Sequence, residues 1–296
     1  MPPRKGSGVK LPPTWTEQEL QHGRDVAEQA YIAAQEGEGG WADLFNESQP
    51  IVEAAFEKTR DLRSMGAGLA ADRELWQTLR FCCGPPISEE NLWTFISKKF
   101  SGQLPVGYEA KTAKVLATRL DPVRFPWVVA GRAPTKEERL VAITATTILI
   151  AQARFTTLAR GQAARRQTDL VYGALKTAGF VFDEDAKIVE DLRPGTYCAE
   201  KTIRYKKCDV PVRLSDGRLL TLECKASNTP KNSWKRLNQE AVGKSNTWRE
   251  HMHDQVVTGC VLAGVFDLQS LVQAQQQGIF IFWEHDLASL VSFVRR

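Results

Sequence analysis

The sequence lacks the motifs of several large enzyme classes. It has no P-loop, no glycine-rich dinucleotide motif after a strand and no HExxH pair, so it gives no support to ATP-driven, dinucleotide-dependent or zinc-peptidase chemistry. Its six cysteines show neither CxxC spacing nor mixed Cys/His ligand spacing. In a chain of 296 residues this pattern indicates the reduced thiols of a cytoplasmic protein rather than a disulfide framework or a zinc site.

Long hydrophobic runs are also missing. The longest, LVAITATTILIA at 140–151, is too short and too rich in threonine to cross a bilayer. The first residues, MPPRKGSGVKLPP, carry charges with no apolar core behind them, so we predict a disordered tail over 1–14 and not a secretory signal. Hydrophobic residues make up 43% of the chain and charged residues 25%, which is typical of a soluble globular protein.

Positive charge is concentrated in one stretch, although the net charge of the whole chain is only +4. Residues 201–250 contain twelve Lys and Arg against five Asp and Glu. The rest of the chain is therefore slightly acidic. Such a concentration of cations is what a phosphate-binding cleft requires.

The chain is predicted to divide into two unlike regions after its tail. Residues 15–164 have helical patterning, with breaks at Pro- and Gly-rich points and Ser88 as one helix start. Residues 165–296 are predicted to form helices and strands in the order helix, hairpin, helix, strand, helix, strand, helix. The predicted fold class is mixed α/β or α+β, with a helical N-terminal half followed by a mixed sheet flanked by helices.

Two strands are predicted around the turn Ser215-Asp216-Gly217-Arg218, namely TIRYKKCDVPVRL at 202–214 and LLTLECK at 219–225. Alternate side chains of a strand share a face, so Glu223 and Lys225 are expected to project together. Farther on, VVTGCVLAGVF at 256–266 is a continuous apolar run typical of a strand buried on both faces. A helix near 267–276, a strand at 279–283 and a helix near 286–294 complete the prediction.

These strands carry the residues of a metal-dependent phosphodiesterase. Asp209 and Glu223 are placed to hold one or two Mg²⁺ ions, with the backbone carbonyl of Cys224 as a further ligand, because magnesium prefers hard oxygen ligands. Lys225 is predicted to orient or deprotonate the attacking water, or to stabilise the phosphorane. Asp216 is an alternative to Asp209, although its place in a turn disfavours it.

A bare Glu-x-Lys pattern is weak, since roughly one is expected by chance in a chain of this size. A second copy, Glu109-Ala110-Lys111, lies in a helical pattern with no hairpin before it. The copy at Glu223 has a hairpin, an upstream aspartate, local positive charge and a polar segment after it. The alternative interpretation is a solvated strand face that carries an ion pair.

The run ECKASNTPKNSWKRLNQE at 223–240, with Asp209 upstream, resembles the PD-(D/E)XK nuclease superfamily and, within it, type II restriction endonucleases of the XamI type. The proline that this family places before its first aspartate is replaced here by Cys208. The resemblance implies that Asp209, Glu223 and Lys225 are catalytic. It also implies a PD-(D/E)XK nuclease core over 165–296. The helical region 15–164 shows no such resemblance, and we expect it to serve as a DNA clamp, a dimerisation region or both.

The same resemblance implies Mg²⁺-dependent cleavage of double-stranded DNA at a palindromic site by a homodimer, with Mn²⁺ as a substitute ion and 5′-phosphate and 3′-hydroxyl ends as products. A cognate methyltransferase would protect the DNA of the bacterial host. Some members add an upstream acidic ligand, and Glu200 is favoured for that place over Glu190 and Asp191. Two alternatives remain open, a structure-selective repair nuclease of the same superfamily and a non-catalytic DNA-binding module.

DNA contacts are expected from the segment that follows the catalytic strand. Amides can read adenine and arginine can read guanine, while lysine and serine more often hold phosphates. The candidate residues are Asn228, Lys231, Asn232, Ser233, Lys235 and Arg236. Asn232 or Ser233 is also a natural N-cap for the helix that follows, and Trp234 is predicted to be a core residue.

Overall fold

A computed structural model describes residues 10–36, 40–66, 72–99 and 104–295. The chain separates into two units, one made of 1–38 with 160–296 and the other of 39–159. Residues 1–9 of the predicted disordered tail lie outside the described residues.

The unit 39–159 is helical in its described part, as predicted. Two of its helices begin at residues whose side chains satisfy free backbone N–H groups, since Asp72 accepts a hydrogen bond from the Leu75 N–H and Ser88 from the Asn91 N–H. Aromatic side chains fill its core, among them Trp76, Trp93 and Trp127. The helices are α2 (Trp41–Lys58), α3 (Arg73–Leu79), α4 (Glu89–Phe95), α5 (Glu109–Ala117), α6 (Pro126–Val129) and the first part of α7 (Lys136–Thr177).

Helix α7 is 42 residues long, so the segment that we predicted as a separate helix from about 165 is the end of a much longer one. The chain passes from one unit to the other inside this helix. Within the described residues, α7 is one helix whose length and composition would allow it to cross a membrane. That property is weak support for a membrane span, because core helices of soluble proteins share it.

Helix α1 (Glu17–Glu36) was predicted to belong to the helical region. It belongs instead to the unit of 1–38 and 160–296, where it packs on the sheet. Its buried residues Leu20 and Ala27 join a cluster that includes Leu262 and Ile281 of the sheet. Just before the helix, the indole N–H of Trp15 donates to the Ile281 carbonyl at 2.8 Å. Burial of this apolar face explains the association.

The unit made of 1–38 and 160–296 is built on a six-stranded mixed sheet, which confirms the predicted fold class. The strands of this sheet are β1 (Val181–Phe182), β2 (Thr196–Tyr197), β5 (Val210–Arg213), β6 (Leu219–Ser227), β7 (Val256–Gly264) and β8 (Phe280–Trp283). Their spatial order is β1-β2-β5-β6-β7-β8. The pairs β1/β2, β6/β7 and β7/β8 are parallel, and the pairs β2/β5 and β5/β6 are antiparallel. The remaining α-helices are α8 (Pro230–Trp234), α9 (Val242–Met252), α10 (Leu268–Gln276) and α11 (Ala288–Val294), and a π-helical segment, Lys235–Ala241, joins α8 to α9.

The strand predicted at 202–214 is wrong as a single element. The chain instead forms a separate two-stranded ribbon, β3 (Lys201–Ile203) and β4 (Lys206–Cys208), before it enters β5. The cause is a reversal at Arg204 and Tyr205, which both have positive φ. The second predicted strand is confirmed, because positions 219–227 are extended throughout as β6.

The central strands are buried on both faces. Val257 and Val261 of β7 pack on one side with the end of α7 and with α11, whereas Cys260 and Leu262 pack on the other side with α1 and α10. Two apolar faces are what the continuous run at 256–266 predicts. They fix β6 and β7 side by side in the middle of the unit.

The end of this strand pair supplies a test of the packing. Gly264 has φ +88°, and an added Cβ would collide with the backbone carbonyl of Ser227 on β6. We expect Gly264→Ala to lower the free energy of unfolding by about 2–5 kcal/mol, measured by urea denaturation.

Gly179→Ala is the matched control, because Gly179 has φ +94° but no heavy atom near an added Cβ. Here we expect only the backbone cost of about 1–2 kcal/mol. Equal losses in the two variants would contradict the close approach of β6 and β7 at Gly264.

Candidate active site

The structure brings Asp209, Glu223 and Lys225 together at one end of the β5–β6 pair. Asp209 immediately precedes β5, while Glu223 and Lys225 lie on one face of β6, as their alternation predicts. The Lys225 ammonium nitrogen lies 2.8 Å from Glu223 Oε2 and 3.4 Å from Asp209 Oδ2. One cation therefore bridges the two carboxylates.

The backbone of Cys224 fixes Asp209 from the other side. The Cys224 N–H donates to Asp209 Oδ2 at 2.8 Å, which replaces the strand-to-strand bond that would continue the β5–β6 ladder. The N–H and C=O of one strand residue point to the same side. The carbonyl of Cys224 therefore faces the edge where Asp209 lies, as a third oxygen ligand would have to.

Glu223 is fully buried, and its Oε1 has no hydrogen-bond partner among the described residues. Burial raises the pKa of this carboxyl above its ordinary value of 4.5, against the lowering effect of Lys225. A buried carboxylate oxygen without a partner calls for an explanation, and an ion is one of the ordinary ones. Together with Asp209, this oxygen suits a hard divalent cation.

Lys244 is a fourth member of the site, and our sequence prediction missed it. This residue lies on α9, and its ammonium nitrogen is 2.6 Å from Glu223 Oε2. Two cations thus contact the same carboxylate oxygen. Sequence spacing gave no signal for this pair, because the contact depends on how α9 packs beside β6.

The surroundings of Lys225 favour its charged form. Burial lowers the pKa of this amine, but the charges of Glu223 and Asp209 outweigh burial and the net pKa lies above the ordinary value. Of the roles predicted for Lys225, orienting water and stabilising the phosphorane fit an ammonium group. The third predicted role, that of general base, stays a prediction.

The other acidic candidates do not join this group. Glu200, predicted as a possible extra metal ligand, forms a salt bridge of 2.7 Å with Lys207 on the β3–β4 ribbon, and its role as a ligand stays a prediction. Asp216 is paired with Arg218 inside its turn, at 2.6 Å. Within the described ranges, no cluster of three or more His, Cys, Asp and Glu side chains is found. Of the acidic residues predicted as ligands, Asp209 and Glu223 are the two that the structure brings together around Lys225.

The predicted DNA-contacting segment is exposed at four of its six positions, Asn228, Lys231, Asn232 and Lys235, while Arg236 is half-buried. The prediction that Ser233 contacts DNA is wrong. It is fully buried, with its hydroxyl donating to the Pro230 carbonyl and accepting from the Asp267 N–H, so it cannot reach DNA.

Two further details of this segment differ from the prediction. The helix is capped by Thr229, whose hydroxyl accepts from the Asn232 N–H, and not by Asn232 or Ser233. The reason is that Pro230 occupies the first helical turn, where a missing N–H costs nothing. Trp234 is 48% exposed rather than a core residue, and it lies among the cations of the segment.

Comparison with known proteins gives two matches. A family model described as XamI restriction endonuclease matches residues 60–283 of this chain. The type II restriction enzyme XamI of Xanthomonas campestris pv. amaranthicola is 33% identical over 261 residues, which cover 81% of this chain and 92% of that protein. The range matched by the family model includes Asp209, Glu223, Lys225 and Lys244.

The two cations on Glu223 generate a stability prediction. We expect Lys244→Met to lower the free energy of unfolding near neutral pH by about 1–3 kcal/mol, because a buried carboxylate loses one of its two partners. The raised pKa of Glu223 means that the folded state holds this proton more tightly than the unfolded state. Stability from the neutral carboxyl is therefore present below pH 4.5 and is lost as the pH rises through the folded-state pKa.

The free energy of unfolding of Lys244→Met should therefore lie furthest below that of wild type near neutral pH. The difference should shrink at acid pH, where Glu223 is neutral in both proteins. Urea denaturation at the two pH values measures it. Lys176→Met, which removes an exposed cation of the same unit, is the control and should show no deficit at either pH. A deficit for Lys244→Met that does not change with pH would contradict the pairing.

Proposed function

The chain belongs to the XamI restriction endonuclease family and cleaves DNA at specific sites, and we propose that it does so with Mg²⁺, leaving 5′-phosphate and 3′-hydroxyl ends. One observation carries the metal assignment. The buried Glu223 has a carboxylate oxygen with no hydrogen-bond partner among the described residues, and Lys225 contacts both Glu223 and Asp209. Mn²⁺ is expected to substitute, since it accepts the same oxygen ligands.

Asp209, Glu223 and the carbonyl of Cys224 would hold the ion. When bound, Mg²⁺ supplies an activated water and neutralises charge that develops on the phosphate. Lys225, held between the two carboxylates, orients that water and stabilises the additional negative charge of the phosphorane as an ammonium group. Lys244 keeps the buried Glu223 ionised, so that the carboxylate remains a ligand.

The DNA backbone and bases would be contacted by the segment after β6. Its exposed amides and cations lie in the loop and the helical segment that directly follow the catalytic strand β6. The proposed contact residues are Asn228, Lys231, Asn232, Lys235 and Arg236.

Two copies of the chain would act together. Each chain carries one Asp-Glu-Lys site in its described part, since the rival Glu109-Ala110-Lys111 lies on helix α5. Cutting both strands of a palindromic site then calls for a two-fold pair of chains. In the bacterial cytoplasm, a methyltransferase that modifies the same DNA site would protect the host.

Digestion of a plasmid of mixed sequence with Mg²⁺, followed by sequencing of the ends, tests this function. Discrete, reproducible fragments with 5′-phosphates are expected. A smear, or cleavage confined to branched DNA, would indicate a repair nuclease instead, and binding with no nicks under any divalent ion would indicate a non-catalytic module.

Glu223→Ala and Lys225→Ala should each slow plasmid cutting by about a thousandfold or more, because several kcal/mol of transition-state stabilisation depend on the ion and the ammonium group. Binding of the intact DNA, measured by gel shift, should be largely retained. Glu109→Ala in the rival motif is the matched control and should cut normally. Normal cutting by Glu223→Ala would show that the site is wrong.

Asp209→Ala and Asp216→Ala, assayed side by side, decide which aspartate is the ligand. Asp209 contacts the catalytic lysine, whereas Asp216 is bound to Arg218 in the turn. We therefore expect Asp209→Ala to lose cutting and Asp216→Ala to retain it at saturating Mg²⁺. The reverse result would move the metal site to the turn.

A further inference from the structure

The tip of the β3–β4 ribbon is built from residues that the backbone there disfavours. Ile203 pairs with Lys206, so Arg204 and Tyr205 form a two-residue turn. Their φ values are +46° and +70°. A tight hairpin turn with positive φ at both positions strongly favours Asn-Gly or a similar pair. An arginine and a tyrosine in these places are strained, and such strain is concentrated at functional sites.

Exposure of the tip is also unfavourable in the isolated chain. Tyr205 is 89% exposed, and the neighbouring Arg204 and Lys206 are exposed as well. A tyrosine ring gains nothing for folding when it stands in water. Neither the backbone nor the solvation of the tip therefore explains these residues, which points to a partner that covers them.

The base of the ribbon, in contrast, is firmly held. Ile203 and Cys208 are buried in a cluster with Trp248 of α9 and Leu219 of β6. The indole N–H of Trp248 donates to the Ile203 carbonyl at 2.9 Å. The buried base therefore holds the tip in place. Helix α9, which contacts the base through Trp248, also carries Lys244.

Charge identifies the chemistry of the partner. Residues 200–208 contain four cations and one carboxylate. The carboxylate, Glu200, is taken up by Lys207, and Arg204 and Lys206 have no ion-pair partner in the part of the chain that the structure describes. A tip that combines two unpaired cations with an exposed aromatic ring is complementary to a nucleic acid, whose phosphates and bases lie side by side.

Chain distance places the tip near the reaction. Tyr205 precedes Asp209 by four positions of nearly extended chain, a span of at most roughly 13 Å. Duplex DNA rises about 3.4 Å per base pair, so this span covers about four base pairs. The major groove is wide enough to admit a two-stranded ribbon.

We propose that the β3–β4 ribbon enters a groove of the duplex beside the scissile phosphate, with Tyr205 against the bases and with Arg204 and Lys206 on the flanking phosphates. This inference rests on the proposed function and adds a second DNA-contacting element to the segment after β6. It makes Tyr205 a positioning and specificity residue rather than a catalytic one.

Tyr205→Gly tests the proposal without a penalty in folding. Glycine is favoured at φ +70°, so the melting temperature of the variant should equal or exceed that of wild type. Single-turnover cutting of a plasmid that wild type cuts is measured at increasing enzyme concentration with Mg²⁺. The half-saturating enzyme concentration should rise about tenfold or more, while the rate at saturation should stay within about twofold of wild type.

Matched variants separate the ring from the charges. Tyr205→Phe keeps the ring, so its half-saturating enzyme concentration should be closer to that of wild type than the value for Tyr205→Gly. Lys206→Ala should weaken binding to cut and uncut plasmid sequences alike and lower the salt-dependence slope by about one. Lys176→Ala removes an exposed cation elsewhere in the same unit and should change neither quantity.

The inference is overturned if Tyr205→Gly saturates at the wild-type concentration, or if its rate at saturation falls as far as that of Lys225→Ala. A wild-type chain that cuts no plasmid at all would remove the proposed function and this inference with it. A wild type that cuts normally beside an unaffected Tyr205→Gly would remove this inference alone.

Discussion

The buried carboxylate of Glu223 is the group on which the rest of the site depends. A carboxylate without water is costly, and two ammonium groups from different elements share one of its oxygens while the other oxygen has no hydrogen-bond partner among the described residues. This arrangement is poor for stability and suited to binding a cation, because one buried carboxylate oxygen has no partner among the described residues. Removal of any one partner leaves a buried charge uncompensated.

The fold around Glu223 holds each partner in a different way. Strand β6 carries Glu223 and Lys225 in a sheet buried on both faces, and the N–H of Cys224 holds Asp209 where β5 begins. Helix α9 contributes Lys244 from one side. The same helix anchors the β3–β4 ribbon through Trp248, so the proposed metal site and the proposed groove contact share one support.

Local patterns predicted the elements that carry the motif, and tertiary contacts decided the rest. Alternation over 219–225 was enough to place Glu223 and Lys225 on one face, and the apolar run at 256–266 was enough to bury β7. Lys244 could not be paired with Glu223 from spacing, because only helix packing brings it there. Glu200 and Ser233 looked available in the sequence, but a salt bridge and a buried hydroxyl network engage them. The turn at Arg204 was hidden because its residues are atypical of turns.

The most direct test is a crystal structure of the chain with its DNA and Mn²⁺, in which anomalous scattering locates the ion. We expect an ion bound by carboxylate oxygens of Asp209 and Glu223 and by the Cys224 carbonyl, since hard divalent ions take oxygen ligands. An ion held elsewhere, with Glu223 still bound only to Lys225 and Lys244 in an enzyme that cuts DNA, would contradict this expectation.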